Sequence, residues 1–178
     1  QGSREAVGFL RQLGHRRIGH ITGNMDQVIS NQRLQGYRDG LVAAGIPVHE
    51  HWIEFGDYTT GTALACARRL LSLPDRPTAI FAANDLSAMG VYQAAEECGL
   101  RIPADLSVIG FDNLYEAAYL SPPLTTIDQS IEMMGTMATE MLVKLVKGEP
   151  LPINPAEKCN LYKIPTKLIV RDSCAPVL

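Results

Sequence analysis

The sequence predicts an α/β fold in which a parallel sheet is flanked by helices. Three observations point to it. Short apolar runs, the length of a buried strand, alternate with longer runs whose apolar residues recur at helical spacing. Several helical runs stop at a glycine, as at Gly14, Gly45 and Gly99. The intervening loops are short, so successive strands are joined by crossover helices and run parallel, with helices on both faces.

Taken in order, Ser3 is the expected cap of a first helix with Val7, Leu10 and Leu13 on one face. Residues 18–22 read as a buried strand. A second helix starts near Ser30 or Asn31, carries Leu34, Tyr37, Leu41 and Ala44 on one side, and stops at Gly45. A strand at 52–55 and a helix at 60–72 (Leu64, Ala67, Leu70, Leu71) follow. Pro77 leads into a strand at 78–82, and Asp85 opens a helix running to Cys98. The next strand is 107–111. Residues 112–127 read as a long irregular segment, 131–147 as a helix, and 158–163 and 167–170 as terminal strands. The first helix, the 18–22 strand and the 131–147 helix lack evident partners, as if they belong to a second half-domain.

Composition narrows the function classes. The chain has 178 residues, 46% hydrophobic and 20% charged, enough for a soluble core. No apolar run approaches the roughly 20 residues of a membrane helix, so no membrane partner is expected. The polar start Gln1-Gly2-Ser3-Arg4-Glu5 carries neither a signal peptide nor an initiator Met, so a start inside a longer parent is expected. The net charge of −3 argues against direct capture of nucleic-acid phosphates. Four cysteines without a C-x-x-C pair fit a reducing cytoplasm, with Cys66 and Cys98 expected as buried thiols in helices.

Catalytic and cofactor motifs are missing. There is no G-x-G-x-x-G after a strand, no phosphate-binding G-x-x-x-x-G-K-[ST] and no G-x-S-x-G elbow. His49 and His51 alternate, but without a third ligand they are expected as surface residues, and no metal or other cofactor is expected.

Ligands of open α/β sheets sit outside the carboxyl ends of the strands. There the sequence places Asn24, Asp26 and Gln27, then Asn84 and Asp85, then Asp112 and Asn113. Such amides and carboxylates suit a polyhydroxylated ligand. Arg33 is expected in the first turn of its helix, against the helix dipole, which suggests service to a ligand oxygen or to Asp112. Each also has an ordinary structural reading: Asn84 or Asp85 as a helix cap, Asp112 as a turn residue, Arg33 as a solvated surface cation, and Phe81 as core rather than a face for a sugar ring.

At these residues the chain resembles the LacI/GalR family of bacterial regulators. The phrases that carry the resemblance are Leu13-Gly14-His15-Arg16-Arg17-Ile18, Ile21-Thr22-Gly23, Arg33-Leu34-Gln35-Gly36-Tyr37, Pro77-Thr78-Ala79-Ile80-Phe81 and Ala83-Asn84-Asp85. Beyond them come Ser107-Val108-Ile109-Gly110-Phe111-Asp112-Asn113, Pro123-Leu124-Thr125-Thr126-Ile127 and the tail from Pro165 to Arg171.

The resemblance implies a periplasmic-binding-protein-like (type I) fold of two subdomains with an effector between them. Residues 1–22 and 129–157 would be remnants of the N-terminal subdomain, and 23–128 with 158–178 a nearly complete C-terminal one. It implies effector contacts from Arg33, Asp112, Asn84 and Phe81. Gln27 and Ile29 stand where purine-binding members carry an arginine and a threonine, which favours a sugar. It further implies a cytoplasmic homodimer, with Met89, Tyr92 and Tyr119 at its interface. A helix-turn-helix upstream of Gln1 would touch operator DNA under allosteric control by the effector. A transport-type sugar-binding protein shares the fold and is the alternative; a Rossmann-like enzyme is the more distant one.

Overall fold

A computed structural model of the chain describes residues 1–151 and 163–177. Helix α1 (Gly2–Gln12) leads to β1 (Ile18–Ile21), α2 (Val28–Ala43), β2 (Ile53–Glu54), α3 (Thr60–Leu71), β3 (Ala79–Ala82), α4 (Asp85–Glu97) and β4 (Ser107–Asp112). Then come β5 (Thr125–Asp128), α5 (Ile131–Val146) and β6 (Lys167–Ile169), with short 3-10 turns at Glu50–Trp52 and Tyr115–Tyr119. The sheet order is β2-β1-β3-β4-β5-β6. β1 to β5 run parallel and β6 closes the edge antiparallel to β5.

The alternation of side chains along each strand divides the core in two. Ile80, Ala82 and Val108 face α3 and α4, packing with Ala67, Leu70, Val91 and Ala94. Ala79, Phe81 and Ile109 face α1 and α2, packing with Val7, Leu10, Leu34 and Tyr37. All of these are buried, so apolar residues at both parities mark strands covered on both faces.

Two expectations are corrected here. Residues 1–22 are not a separate remnant, because β1 pairs with both β2 and β3 inside the sheet. α1 packs on α2, where a Cβ on Gly36 or Gly40 would lie 2.9 Å from Ser3 Cβ or 2.8 Å from Val7 Cβ. The buried face of α1 thus has a partner that linear spacing does not reveal. The irregular segment 112–127 also contains most of β5, whose β-branched run Thr125-Thr126-Ile127 fits a pleated, buried position. The strand expected at 158–163 lies almost wholly outside the described residues.

α5 differs from the other helices. It starts after Ser130, which has φ 54°, and none of its residues is buried. Ile131, Met133, Leu142, Val143, Leu145 and Val146 are exposed around it. An apolar helix with so much of its surface exposed is unlike α1 to α4, each of which buries one face. No described helix is long and apolar enough to cross a membrane.

Candidate effector site

At the carboxyl edge of the sheet, α2 carries Arg33 beneath the end of β4. The helix starts at Val28, two residues before the expected Ser30, so Arg33 sits in its second turn and the dipole argument does not apply. Its burial is the more telling fact: Arg33 is 8% exposed. The guanidinium lies 3.9 Å from the centre of the Phe111 ring, a cation–π contact. Nη1 donates to the Ala83 carbonyl. Nη2 is 3.4 Å from Asp112 Oδ1, and Nε has no hydrogen-bond partner among the described residues.

Asp112 ends β4 with φ 112° and is followed by Asn113 with φ 59°, two non-glycine residues in the left-handed region. Its Oδ1 also accepts from Gln129 Nε2 at 2.6 Å. Burial raises the Asp112 carboxyl above its ordinary pKa, and the Arg33 charge and hydrogen bond pull it back. The turn is held from behind: Asp85 accepts from the Leu114 amide at 2.7 Å, and Arg171 Nη2 donates to Asn113 Oδ1 at 2.7 Å. Such pins keep a strained turn in place.

The structure therefore brings Arg33 and Asp112 together and treats the other expected site residues differently. Asn84 caps α4, its Oδ1 accepting from the Ser87 amide at 2.8 Å while Nδ2 donates to the Tyr58 carbonyl at 3.2 Å. Gln27 is exposed just before α2 and makes no side-chain cap bond. Phe81 is a correction: it is fully buried in the α1/α2 core with its ring 4.9 Å from that of His20, so it offers no face to a ligand. On the opposite flank Met89 is half-buried, Tyr92 donates to the Pro122 carbonyl at 2.8 Å, and Tyr119 is exposed with its ring 4.7 Å from that of Tyr115. Cys98 is exposed at the end of α4, not buried as expected, while Cys66 is buried. Among the described residues no three His, Cys, Asp or Glu side chains gather as a metal site.

Two residues at this edge escape the sequence reading. Tyr58 has φ 73°, rare for a bulky side chain. Its hydroxyl is 2.6 Å from Ser30 Oγ and its ring lies 5.8 Å from the Arg33 guanidinium. It packs so closely on Gly23 that a Cβ there would collide with the ring. Its position follows β2, a strand of only two residues whose end is poorly marked in sequence. Gln129 is the other; its signal was the polar Asp128-Gln129-Ser130 step between a strand and a helix.

An open α/β domain with a buried cation, a carboxylate and an aromatic ring at the carboxyl ends of its strands is a small-molecule-binding type of fold. The chain belongs to the periplasmic binding protein-like domain family, whose model matches residues 7–174. It is 36% identical over 173 residues to the HTH-type transcriptional repressor PurR of Photobacterium profundum, covering 97% of this chain and 50% of the relative. It is 39% identical over 168 residues to the ribose operon repressor of Haemophilus influenzae, covering 94% and 49%. The solved transcriptional regulator CelR–cellobiose complex superposes with a TM-score of 0.87 at 36% identity, covering 97% of this chain and 51% of that one. These relatives are regulators rather than enzymes, and the chain spans about half the length of the curated relatives it matches.

Proposed function

We propose that this chain is the effector-sensing region of a LacI-type transcriptional regulator working in the cytoplasm, with a sugar as effector. The observation that carries this reading is Arg33, a buried guanidinium whose Nε has no partner among the described residues and whose bond to Asp112 is long. A buried charge left short of hydrogen bonds costs stability. At a strand-end site that cost is offset when a ligand oxygen completes the set. Arg33 donates to the ligand, Asp112 accepts from its hydroxyls, and Tyr58 supplies the aromatic face first assigned to Phe81. The repressor names of the relatives and the cellobiose complex of one neighbour support the regulatory and sugar parts. With a net charge of −3 this region does not itself hold DNA; operator contact falls to another part of a homodimer. Met89 and the exposed Tyr119 lie on the surface assigned to that dimer.

Calorimetry on the full-length protein with D-ribose, cellobiose and purine bases tests the site. One of the sugars is expected to bind, and Arg33→Ala and Asp112→Asn should each weaken it at least about tenfold, since a charge-assisted bond is worth roughly 1.5–3 kcal/mol. Binding of a purine with the same two losses would move the ligand class and keep the site. Binding indifferent to both substitutions would remove the site.

A further inference from the structure

We propose that the amino-terminal edge of the sheet is a docking surface for an Asp- and Glu-rich segment of a partner protein. β1, β3 and β4 are neighbours in the sheet, and Arg17, Arg76 and Asp105 lie in the loops that enter them. Guanidinium bonds tie these loops together. Arg17 Nε donates to the Arg76 carbonyl at 3.1 Å, and Arg76 Nη1 donates to the Asp105 and Pro77 carbonyls at 3.2 and 3.3 Å. Carbonyl partners orient the two side chains and leave their charge uncompensated. Beside them Arg16 is exposed and makes no hydrogen bond or ion pair among the described residues.

Elsewhere on the surface the arginines are neutralised. Arg4, Arg38, Arg68, Arg69 and Arg101 each have a carboxylate oxygen at 3.9 Å or less. The two acids of the edge loops are already taken: Asp105 accepts from Arg101 Nε at 2.8 Å, and Asp75 lies 3.0 Å from His51 Nε2. The Asp105 carboxyl is pulled down to about 2, chiefly by its bonds from Arg101 and further by the charges of Arg101 and Arg76. In a chain of net charge −3, Arg16, Arg17 and Arg76 thus form a positive patch against the overall sign. The tail residues Ala175 and Val177 bond to Ser107 and Leu13 along this edge and leave Arg16 and Arg17 exposed. Gln1, the step from β5 into α5 and the entry to β6 all lie at the opposite, carboxyl edge, where a Cβ on Gly2 would meet Ile127 and Phe111. Three guanidiniums are too few for duplex DNA, whose binders make roughly 6–10 phosphate contacts. Their planar forks suit the paired oxygens of carboxylates.

The proposal is independent of the effector site, and its test is fluorescence anisotropy of a labelled oligoglutamate peptide on the full-length protein. At about 0.1 M salt, where charges act over about 10 Å, the peptide is expected to bind, and further salt should weaken it. Arg16→Glu should weaken binding about fivefold or more with no change in melting temperature, because Arg16 bonds to nothing in the described fold. Arg4→Glu makes the same charge change in the first turn of α1, near the carboxyl edge, and should leave binding unchanged. No binding of the peptide, or equal losses from the two variants, overturns the proposal. So does loss, in Arg16→Glu alone, of binding to non-operator duplex DNA or of self-association in sedimentation, which would make the occupant nucleic acid or a second copy.

Discussion

Gly90→Ala is expected to lower the melting temperature by about 4–8 °C, although alanine is the better helix former. Gly90 lies in α4 where it crosses α3. A Cβ there would meet the Thr60 carbonyl oxygen at 2.5 Å, the Leu64 amide nitrogen at 2.7 Å and Ala63 Cβ at 3.0 Å. The first two are backbone atoms and cannot rotate away, so the helices must part. Their contact is fixed from the other side by Ala67, Leu70, Val91 and Ala94, all buried against the sheet. Overpacking of this kind costs up to roughly 3 kcal/mol or more, against a helix-propensity gain of about 1 kcal/mol, leaving a net loss near 2 kcal/mol. Gly8→Ala in α1 is the control. Its Cβ meets no atom of the described residues within 4 Å, so only the propensity gain remains and stability should rise by about 0.5–1 kcal/mol. Calorimetric melting of both variants decides it. A Gly90→Ala protein as stable as the parent would mean that α3 and α4 do not approach as closely as the structure has them.

The helices were legible in the sequence because their apolar spacing is regular and glycines mark their ends, as at Gly14, Gly45 and Gly99. β1, β3 and β4 were legible as short apolar runs. What escaped was long-range. Nothing near α1 says that it packs on Gly36 and Gly40, so α1 and β1 were read as orphans. β5 was hidden by its two threonines, polar in composition yet buried as β-branched strand residues. At the site, Arg33 and Asp112 were legible because residue type and strand-end position agree, and the structure places them 3.4 Å apart. Phe81 misled because its phrase is that of a strand end, while the pleat turns it with Ala79 toward α2 and the core. Tyr58 depends on a left-handed backbone and on the space left by Gly23, neither of which a residue type announces.

Two buried titrations are expected to oppose each other on acidification. His20 is fully buried, its ring stacked 4.8 Å from Tyr37 and 4.9 Å from Phe81. Nδ1 donates to the Phe81 carbonyl at 2.8 Å, and Nε2 has no partner among the described residues. Burial pulls its pKa from 6.5 down to about 4, the carbonyl opposing and the Arg33 and Arg38 charges assisting. The unfolded chain then takes up this proton first, so stability is lost as pH falls from 6.5 toward 4, by on the order of 3 kcal/mol. Asp85 has the opposite sign. Burial raises it from 3.8 to about 6 despite its bonds from Thr126 Oγ1 and the Leu114 amide, with Asp112 pushing the same way and Arg171 against. Here the folded state takes up the proton first, and stability is gained as pH falls from 6 toward 3.8, again by on the order of 3 kcal/mol.

In the parent the two nearly cancel, so single variants are needed to see either. Urea unfolding from pH 7 to 4 should show His20→Phe, which keeps the stacked rings, gaining stability on acidification relative to the parent. Asp85→Asn should show the reverse. A His20→Phe profile parallel to the parent's would require a charged imidazolium inside the core. Two flat rings and a single carbonyl do not solvate such a charge, so that outcome would contradict the packing of the α1/α2 face itself.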